Sequence, residues 1–308
     1  MITSADSKPP GPIAGACTAT RELRDLAPDP REEWRRLLNF VQWSADDHRA
    51  AIVSIEPLFR AGPDLVAATY AHLASRPETA GLLGWEQHVD ATHLEERRRF
   101  FTVWLARTLG VDTSDEFALY LFRAGQYHAG DGPRRIDVPP AYVTASVGLV
   151  LAGFGDVLRN AALQNEAVAR AIAAWSKFLT IQLDLMLLGY RVARDLHTGP
   201  SVIRCTYYGR LRPIVGAAAT LVHVAAPASV GDVVRKIVSY YPLIRDEALD
   251  CEWEARTPGE SLWEEDVPVY IPRRGWRVLL NGRDVQYERG FAMCVADGDV
   301  VALFPPGR

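Results

Sequence analysis

Cysteine is scarce and scattered: Cys17, Cys205, Cys251 and Cys294 are all that a chain of 308 residues holds. They form no CxxC pair, no other metal-ligand spacing and no dense disulfide framework, so a cysteine-built zinc site and a stapled secreted fold are set aside and a cytoplasmic location is expected. Charge of one sign is also lacking. Acids and bases mix to a formal net charge of −4, with no basic stripe to track a phosphate backbone, and nucleic acid is not an expected partner. The N-terminus has no signal-peptide core, and the longest unbroken apolar run, around Val147 to Phe154, is too short to span a bilayer. A soluble chain with no membrane partner is expected. A glycine-rich phosphate cradle, a nucleophile-base-acid set and a carboxylate pair at a meaningful spacing are missing too, which argues against an enzyme.

What is present is apolar bulk and helical period. Hydrophobic residues make up 48% of the chain, enough for two cores at this length. Residues 1–28, rich in Pro, Gly, Ala and Ser and without a sustained period, read as a flexible arm. Asp29-Pro30 starts a helix through Trp34, Leu37 and Val41, and Ser44 with Asp47 makes a capping box for a second. Gly62-Pro63 is expected to restart the chain as a further helix that ends before Pro77. His93 to Gly110 reads as a helix with a basic patch, Arg97 to Arg99, beside Phe100 and Phe101. Pro139-Pro140 opens an apolar helix to Ala162, and Glu166 to Leu196 is the longest, apolar on more than one face.

After His197-Thr198-Gly199-Pro200 the period changes from helical to alternating. Strands are expected at Val202 to Tyr208, Thr220 to Val224, Trp276 to Leu280 and Val300 to Phe304, with a helix capped by Ser229 burying Val230, Val233, Val234 and Ile237. Asp250 to Pro272 fits no pattern, and Glu264, Glu265 and Asp266 within it read as a solvated loop. The boundaries expected are 1–28 for the arm, 29–197 for an all-α domain and 198–308 for a small α+β module of the β-grasp kind.

The organising stretch is Asp115 to Tyr142. If its first part is helical, Leu121, Ala124, Gly125 and His128 share a narrow stripe, with the imidazole above two nearly bare turns on which a flat ring can lie. The alternative is a satisfied or solvent-facing histidine at a helix end.

Residues 29–196 resemble the sensor-type globins of the protoglobin and globin-coupled-sensor family. The family's I-G-x-x-H segment is met by Ala124 to His128, AGQYH, with alanine for isoleucine, and its proline-led next helix by VPPAY at Val138 to Tyr142. A second mark, an aromatic pair followed by S-x-P, is met by Thr69-Tyr70 and Ser75-Arg76-Pro77, with one aromatic replaced by threonine. The resemblance implies haem b held by His128 as proximal iron ligand, Tyr70 as the distal hydroxyl facing a diatomic gas, and Phe100 and Phe101 as pocket walls, Phe100 the stronger candidate. A core tyrosine bonded to a backbone carbonyl is the alternative for Tyr70. His93 is either a second iron ligand or a surface residue at a helix start.

Residues 201–308 resemble the ubiquitin-like sulfur carriers, the small subunit of molybdopterin synthase and the thiamine-pathway carrier. The matching blocks are YYGRLRPIVG from Tyr207, VGDVVRKIVSYYP from Val230, LLNGRDV from Leu279 and DGDVVALFPP from Asp297. Such carriers end in Gly-Gly, whereas this chain reads Pro305-Pro306-Gly307-Arg308, so a reactive tail requires processing. Together the resemblances imply a gas sensor for dioxygen, nitric oxide or carbon monoxide, coupled to a ubiquitin-like output or docking region that meets a protein partner. A homodimer through the last two α-helices is expected. The alternatives are a sulfur carrier or protein modifier regulated by the globin, and a haem-free helical platform for oligomerisation.

Overall fold

The structure, a computed structural model, describes residues 22–256 and 265–306. Most of the expected arm, Cys17, Trp263, Glu264, the side chain of Glu265, Gly307 and Arg308 lie outside the described residues. Two compact units are present, one of them Ala27–Leu196.

This unit is helical throughout its named elements. Helix α1 (Pro30–Phe40) begins at Asp29, whose carboxylate accepts the Arg31 N–H at 2.9 Å. Helix α2 (Ala45–Ser75) opens with the reciprocal Ser44 and Asp47 bonds of the capping box, at 3.2 and 3.0 Å. The expected restart at Gly62-Pro63 is absent, because α2 runs on through both Pro57 and Pro63. Each proline removes one backbone donor and crowds the preceding turn. Burial of Ala51, Ser54, Leu58 and Val66 along the same helix opposes that local cost.

Next come α3 (Pro77–Leu83), α4 (Ala91–Leu109), α5 (Asp115–His128), α6 (Pro140–Arg159) and α7 (Asn165–Leu196). Trp34, Phe117, Phe154, Trp175 and Phe178 fill the core, each fully buried. Buried indoles need an acceptor, and they find one across helices: Trp34 Nε1 donates to the Thr113 carbonyl at 3.1 Å, Trp175 to Ser54 Oγ at 2.8 Å, and Trp104 to Gln182 Oε1 at 2.8 Å. α6 and α7 are each long and apolar enough to cross a bilayer by length and composition alone, because glycine, serine and threonine extend an apolar helix beyond an unbroken run such as Val147–Phe154, and a buried core helix meets the same description. Much of α7 is spent on the core, with Trp175, Phe178, Leu185 and Leu196 buried.

The other unit comprises the chain after Leu196 together with residues 22–26. Its strands are β1 (Ser201–Tyr207), β2 (Ala219–Val224), β3 (Ala228–Ser229), β4 (Leu249–Arg256), β5 (Glu265–Pro272), β6 (Arg277–Leu280), β7 (Arg283–Asp284), β8 (Cys294–Val295) and β9 (Val300–Phe304). A five-stranded sheet has the order β2-β1-β9-β6-β7, with β1 and β9 parallel in the register Cys205 to Val301. Its helices are α8 (Leu211–Val215), α9 (Val230–Tyr240) and α10 (Pro242–Ala248). Ser229 and Asp232 cap α9 reciprocally, and Val230, Val233, Val234 and Ile237 are fully buried as their spacing predicts. Pro242 ends α9 but also opens α10, since its missing N–H has no partner to lose in a first turn.

The unassigned segment is an antiparallel ribbon of β4 and β5, paired from Leu249 with Pro272 to Arg256 with Glu265. Glu265 and Asp266 therefore stand in strand β5 rather than in a loop. Leu23 adds to the ribbon, exchanging backbone bonds with Tyr270 at 2.9 and 3.0 Å and burying its side chain. This much of the arm is held in place.

Candidate functional site

Ser114 caps α5 by accepting the Phe117 N–H at 3.2 Å, and the helix ends on His128. The chain beyond is tied back at once: the Val138 N–H donates to the His128 carbonyl at 2.7 Å. Asp137, bridged to Ala129, accepts from Tyr190 O–H at 2.9 Å and Arg194 Nη1 at 3.2 Å on α7. A loop of glycine, proline and arginine thus holds the histidine in position from both sides.

His128 is only partly buried. Its Nδ1 has neither solvent contact nor a hydrogen bond of good geometry, although the Ala124 carbonyl lies one turn back. Burial, reinforced by the charge of Arg97 and only partly opposed by that carbonyl, pushes the ring down to about 4. At neutral pH the imidazole is uncharged, and the Ala124 carbonyl favours the proton on Nδ1. Nε2 is then left with a lone pair and no bonding partner among the described residues.

No group of three or more His, Cys, Asp or Glu side chains among the described residues is placed to hold a metal. One imidazole would have to be the protein's sole ligand. Bare zinc or calcium needs several protein ligands, whereas a porphyrin brings four of the iron's own. A neutral, uncommitted nitrogen donor standing alone fits a haem and does not fit a free ion.

The remaining expected residues divide. Ala124 stays partly open on the His128 stripe. Leu121 is fully buried in the helical core, and Gly125 faces α7, where an added Cβ would lie 1.9 Å from the Met186 carbonyl oxygen. The bare turn at Gly125 therefore serves helix packing, not a flat ring, and Gly189 on α7 mirrors it with a Cβ position 2.0 Å from the Phe122 carbonyl oxygen. Periodicity places a glycine on a face but does not say what approaches it.

Tyr70 is largely buried with its ring edge toward Trp85 and Phe101, and its O–H donates to the Arg97 carbonyl at 2.8 Å. Burial pushes its phenol up to about 12, so it keeps its proton at any physiological pH. Of the aromatic pair on α4 it is Phe101 that turns inward, its ring centroid 6.1 Å from Tyr70 and 5.3 Å from Trp104. Phe100 is 50% exposed, which corrects the preference given to it: an i, i+1 pair on a helix cannot share one face.

His93 is not a surface residue. It is 3% exposed, with Trp85 Nε1 placed 3.1 Å from its Nδ1 and Arg97 Nε 3.0 Å from its Nε2. A donor stands beside each ring nitrogen, although a neutral imidazole can accept from only one, so ligation by His93 requires this arrangement to open. Arg97 is the residue that the sequence did not single out. It reads as one of three arginines in a basic patch, and its only distinguishing signal is the i, i+4 spacing from His93. A broad groove of about 730 Å³ on the outer side of α4, lined by Thr92, Glu95, Arg98, Arg99 and Thr102 among others, includes none of these candidates.

Comparison with known proteins places both regions. The protoglobin family model matches residues 31–195, more than half of the chain, and the ThiS family model matches residues 205–307. Small archaeal modifier protein 3 of Haloferax volcanii is 29% identical over 100 residues, covering 32% of this chain and 89% of its own length. Among solved structures, the globin domain of a Geobacter sulfurreducens globin-coupled sensor is 19% identical at a TM-score of 0.42, covering 51% of this chain and 97% of that one. Small archaeal modifier protein 1 of Methanosarcina acetivorans is 18% identical at a TM-score of 0.27, over 34% of this chain and 93% of that one. Neither matched family is an enzyme family. The chain belongs to the protoglobin family, with a ubiquitin-like region of the sulfur-carrier kind fused after its globin domain.

Proposed function

We propose that this chain is a haem-based gas sensor, in which His128 holds the iron of haem b and the ubiquitin-like region is the output or docking module. The observation that supports the reading is the state of His128: held toward its neutral form, at the end of α5 with its carbonyl tied back by the Val138 N–H, and with an Nε2 that no described residue takes up. Haem supplies the place where dioxygen, nitric oxide or carbon monoxide binds. Tyr70 supplies a proton that stays on its oxygen and becomes available to a gas once the O–H turns from the Arg97 carbonyl. Trp85 and Phe101 flank the Tyr70 ring with apolar surface, Trp104 packing against Phe101, and a hydrogen bond to a partly negative ligand gains strength there. α5 and α7 touch backbone to backbone at Gly125 and Gly189, so a displacement at His128 is passed directly to α7. The absorption spectrum of the purified protein, recorded with and without reductant and dioxygen, tests the reading. A Soret band that shifts on reduction and again on oxygenation supports it, and a haem-reconstituted protein with no such band rejects it.

A second reading has its own support. The match to the ThiS family and to a relative named as a modifier favours a sulfur carrier or protein modifier regulated by the globin. Incubation with an activating enzyme followed by intact-mass measurement tests it: loss of the residue after Gly307 with oxygen-to-sulfur exchange supports it, and unaltered mass does not.

A further inference from the structure

Arg97 presents a cation with no ion pair among the described residues, Glu96 acting on it only at longer range. It sits on α4 one turn after His93, partly buried, and among the described residues no carboxylate lies within ion-pair distance of it. Its neighbour Glu96 is engaged by Arg134 at 2.7 Å. Burial lowers the Arg97 guanidinium from its ordinary value, yet it remains charged at any physiological pH.

Its one side-chain contact is chemically frustrated. A neutral imidazole has one acceptor nitrogen and one N–H. Burial, then the charges of Arg97 and Arg134, hold His93 toward its neutral form, while Trp85 Nε1–H and Arg97 Nε–H approach its two nitrogens at 3.1 and 3.0 Å. Both are donors. If Nδ1 accepts from Trp85, then Nε2 carries the proton and meets the Arg97 donor head on; the other tautomer strands Trp85 instead. The rigid indole, stacked edge-on against both His93 and Tyr70, has no second arrangement nearby, whereas the arginine has a long stem free to turn.

The backbone carbonyl of Arg97 receives the Tyr70 phenol at 2.8 Å, which places the residue beside the proposed gas-facing hydroxyl. Its charge acts on both the Tyr70 phenol and the His128 ring.

We propose that Arg97 is the anion-selecting residue of the candidate haem pocket, releasing His93 to pair with a small anion of the azide, cyanide or nitrite class bound at the iron. This rests on the haem reading. A guanidinium with no described carboxylate within ion-pair distance gains a charge-assisted hydrogen bond from an anion that reaches it, so Arg97 favours ligands carrying negative charge over neutral carbon monoxide.

The test uses the full chain reconstituted with haem, comparing wild type, Arg97→Met and Arg97→Lys. Azide affinity of the ferric form and carbon monoxide affinity of the ferrous form are read from the Soret band, and haem loss is read by transfer to an apo-globin acceptor. The proposal predicts azide binding weakened at least about tenfold in Arg97→Met, carbon monoxide affinity within about twofold of wild type, and partial recovery of azide binding in Arg97→Lys. In the haem-free protein, Arg97→Met is expected to raise the melting temperature by removing the unpaired charge. Unchanged azide affinity in a variant that takes up haem overturns the proposal while leaving the haem reading intact. Faster haem loss with unchanged azide affinity assigns the arginine to the porphyrin carboxylates and also overturns it. A wild-type protein without a Soret band removes the haem reading itself. Should Arg97→Met fail to fold, Arg97→Gln carries the same comparison.

Discussion

Tyr70 and Cys205 show how burial controls single side chains in this chain. Removing the phenolic O–H in Tyr70→Phe leaves the Arg97 carbonyl without its donor, and the haem-free protein should lose about 1 kcal/mol in urea denaturation. An unchanged midpoint would mean the bond adds nothing. The Cys205 thiol is fully buried in β1, and burial pushes it up to about 12 from an ordinary value of 9.0. The folded state therefore keeps a proton that the unfolded chain gives up. Its contribution to stability is complete below pH 9 and is lost as pH rises toward 12. Denaturant midpoints taken between pH 8 and 11 should fall less steeply in Cys205→Ala than in wild type. Iodoacetamide at pH 8 should label the exposed Cys251 and Cys294 and spare Cys205; labelling of Cys205 in the native protein would contradict its burial. The roles proposed for His128 and Tyr70 come from short motifs that the sequence carries. Arg97 is not singled out by a motif, since what distinguishes it is that no carboxylate among the described residues stands within ion-pair distance, a property of the fold and not of the letters around it.

Among the helices and strands, the contact of α5 with α7 is the most exacting. Gly125→Ala places a methyl where the Met186 backbone already is, and neither helix can yield without moving the other. The expected cost is roughly 3 kcal/mol, toward the upper end for overpacking, read as a lowered thermal midpoint. A melt within a degree of wild type would show the helices able to separate freely. At the start of α9, Ser229→Ala removes one half of a reciprocal cap and should cost about 1 kcal/mol, with faster amide exchange at Asp232 as its local signature. Helices with capping residues and a single buried stripe were readable from the sequence, α1 and α9 most clearly. α2 was misread because proline is a strong break signal, and the packing that carries this helix through Pro57 and Pro63 is tertiary. The β4 and β5 ribbon was missed for the opposite reason. β4 is exposed along nearly its whole length, and an alternating pattern arises only where one face of a strand is buried.

For the chain as a whole, the two family matches place a globin region ahead of a ubiquitin-like one in the sequence, and the proposed homodimer belongs to the proposed sensor reading. α6 leaves Leu149 39% exposed and buries few of its apolar residues, whereas α7 turns its large apolar side chains into the core. Sedimentation at micromolar concentration should show a dimer, and a monomer would remove that part of the proposal. The haem reading stands or falls on whether the His128 nitrogen is the ligand. The most direct measurement is haem titration of His128→Gly with and without free imidazole, followed at the Soret band. The expected result is weak, altered binding that imidazole restores to the wild-type spectrum. A wild-type spectrum in His128→Gly without imidazole would place the iron elsewhere and contradict the reading at its root.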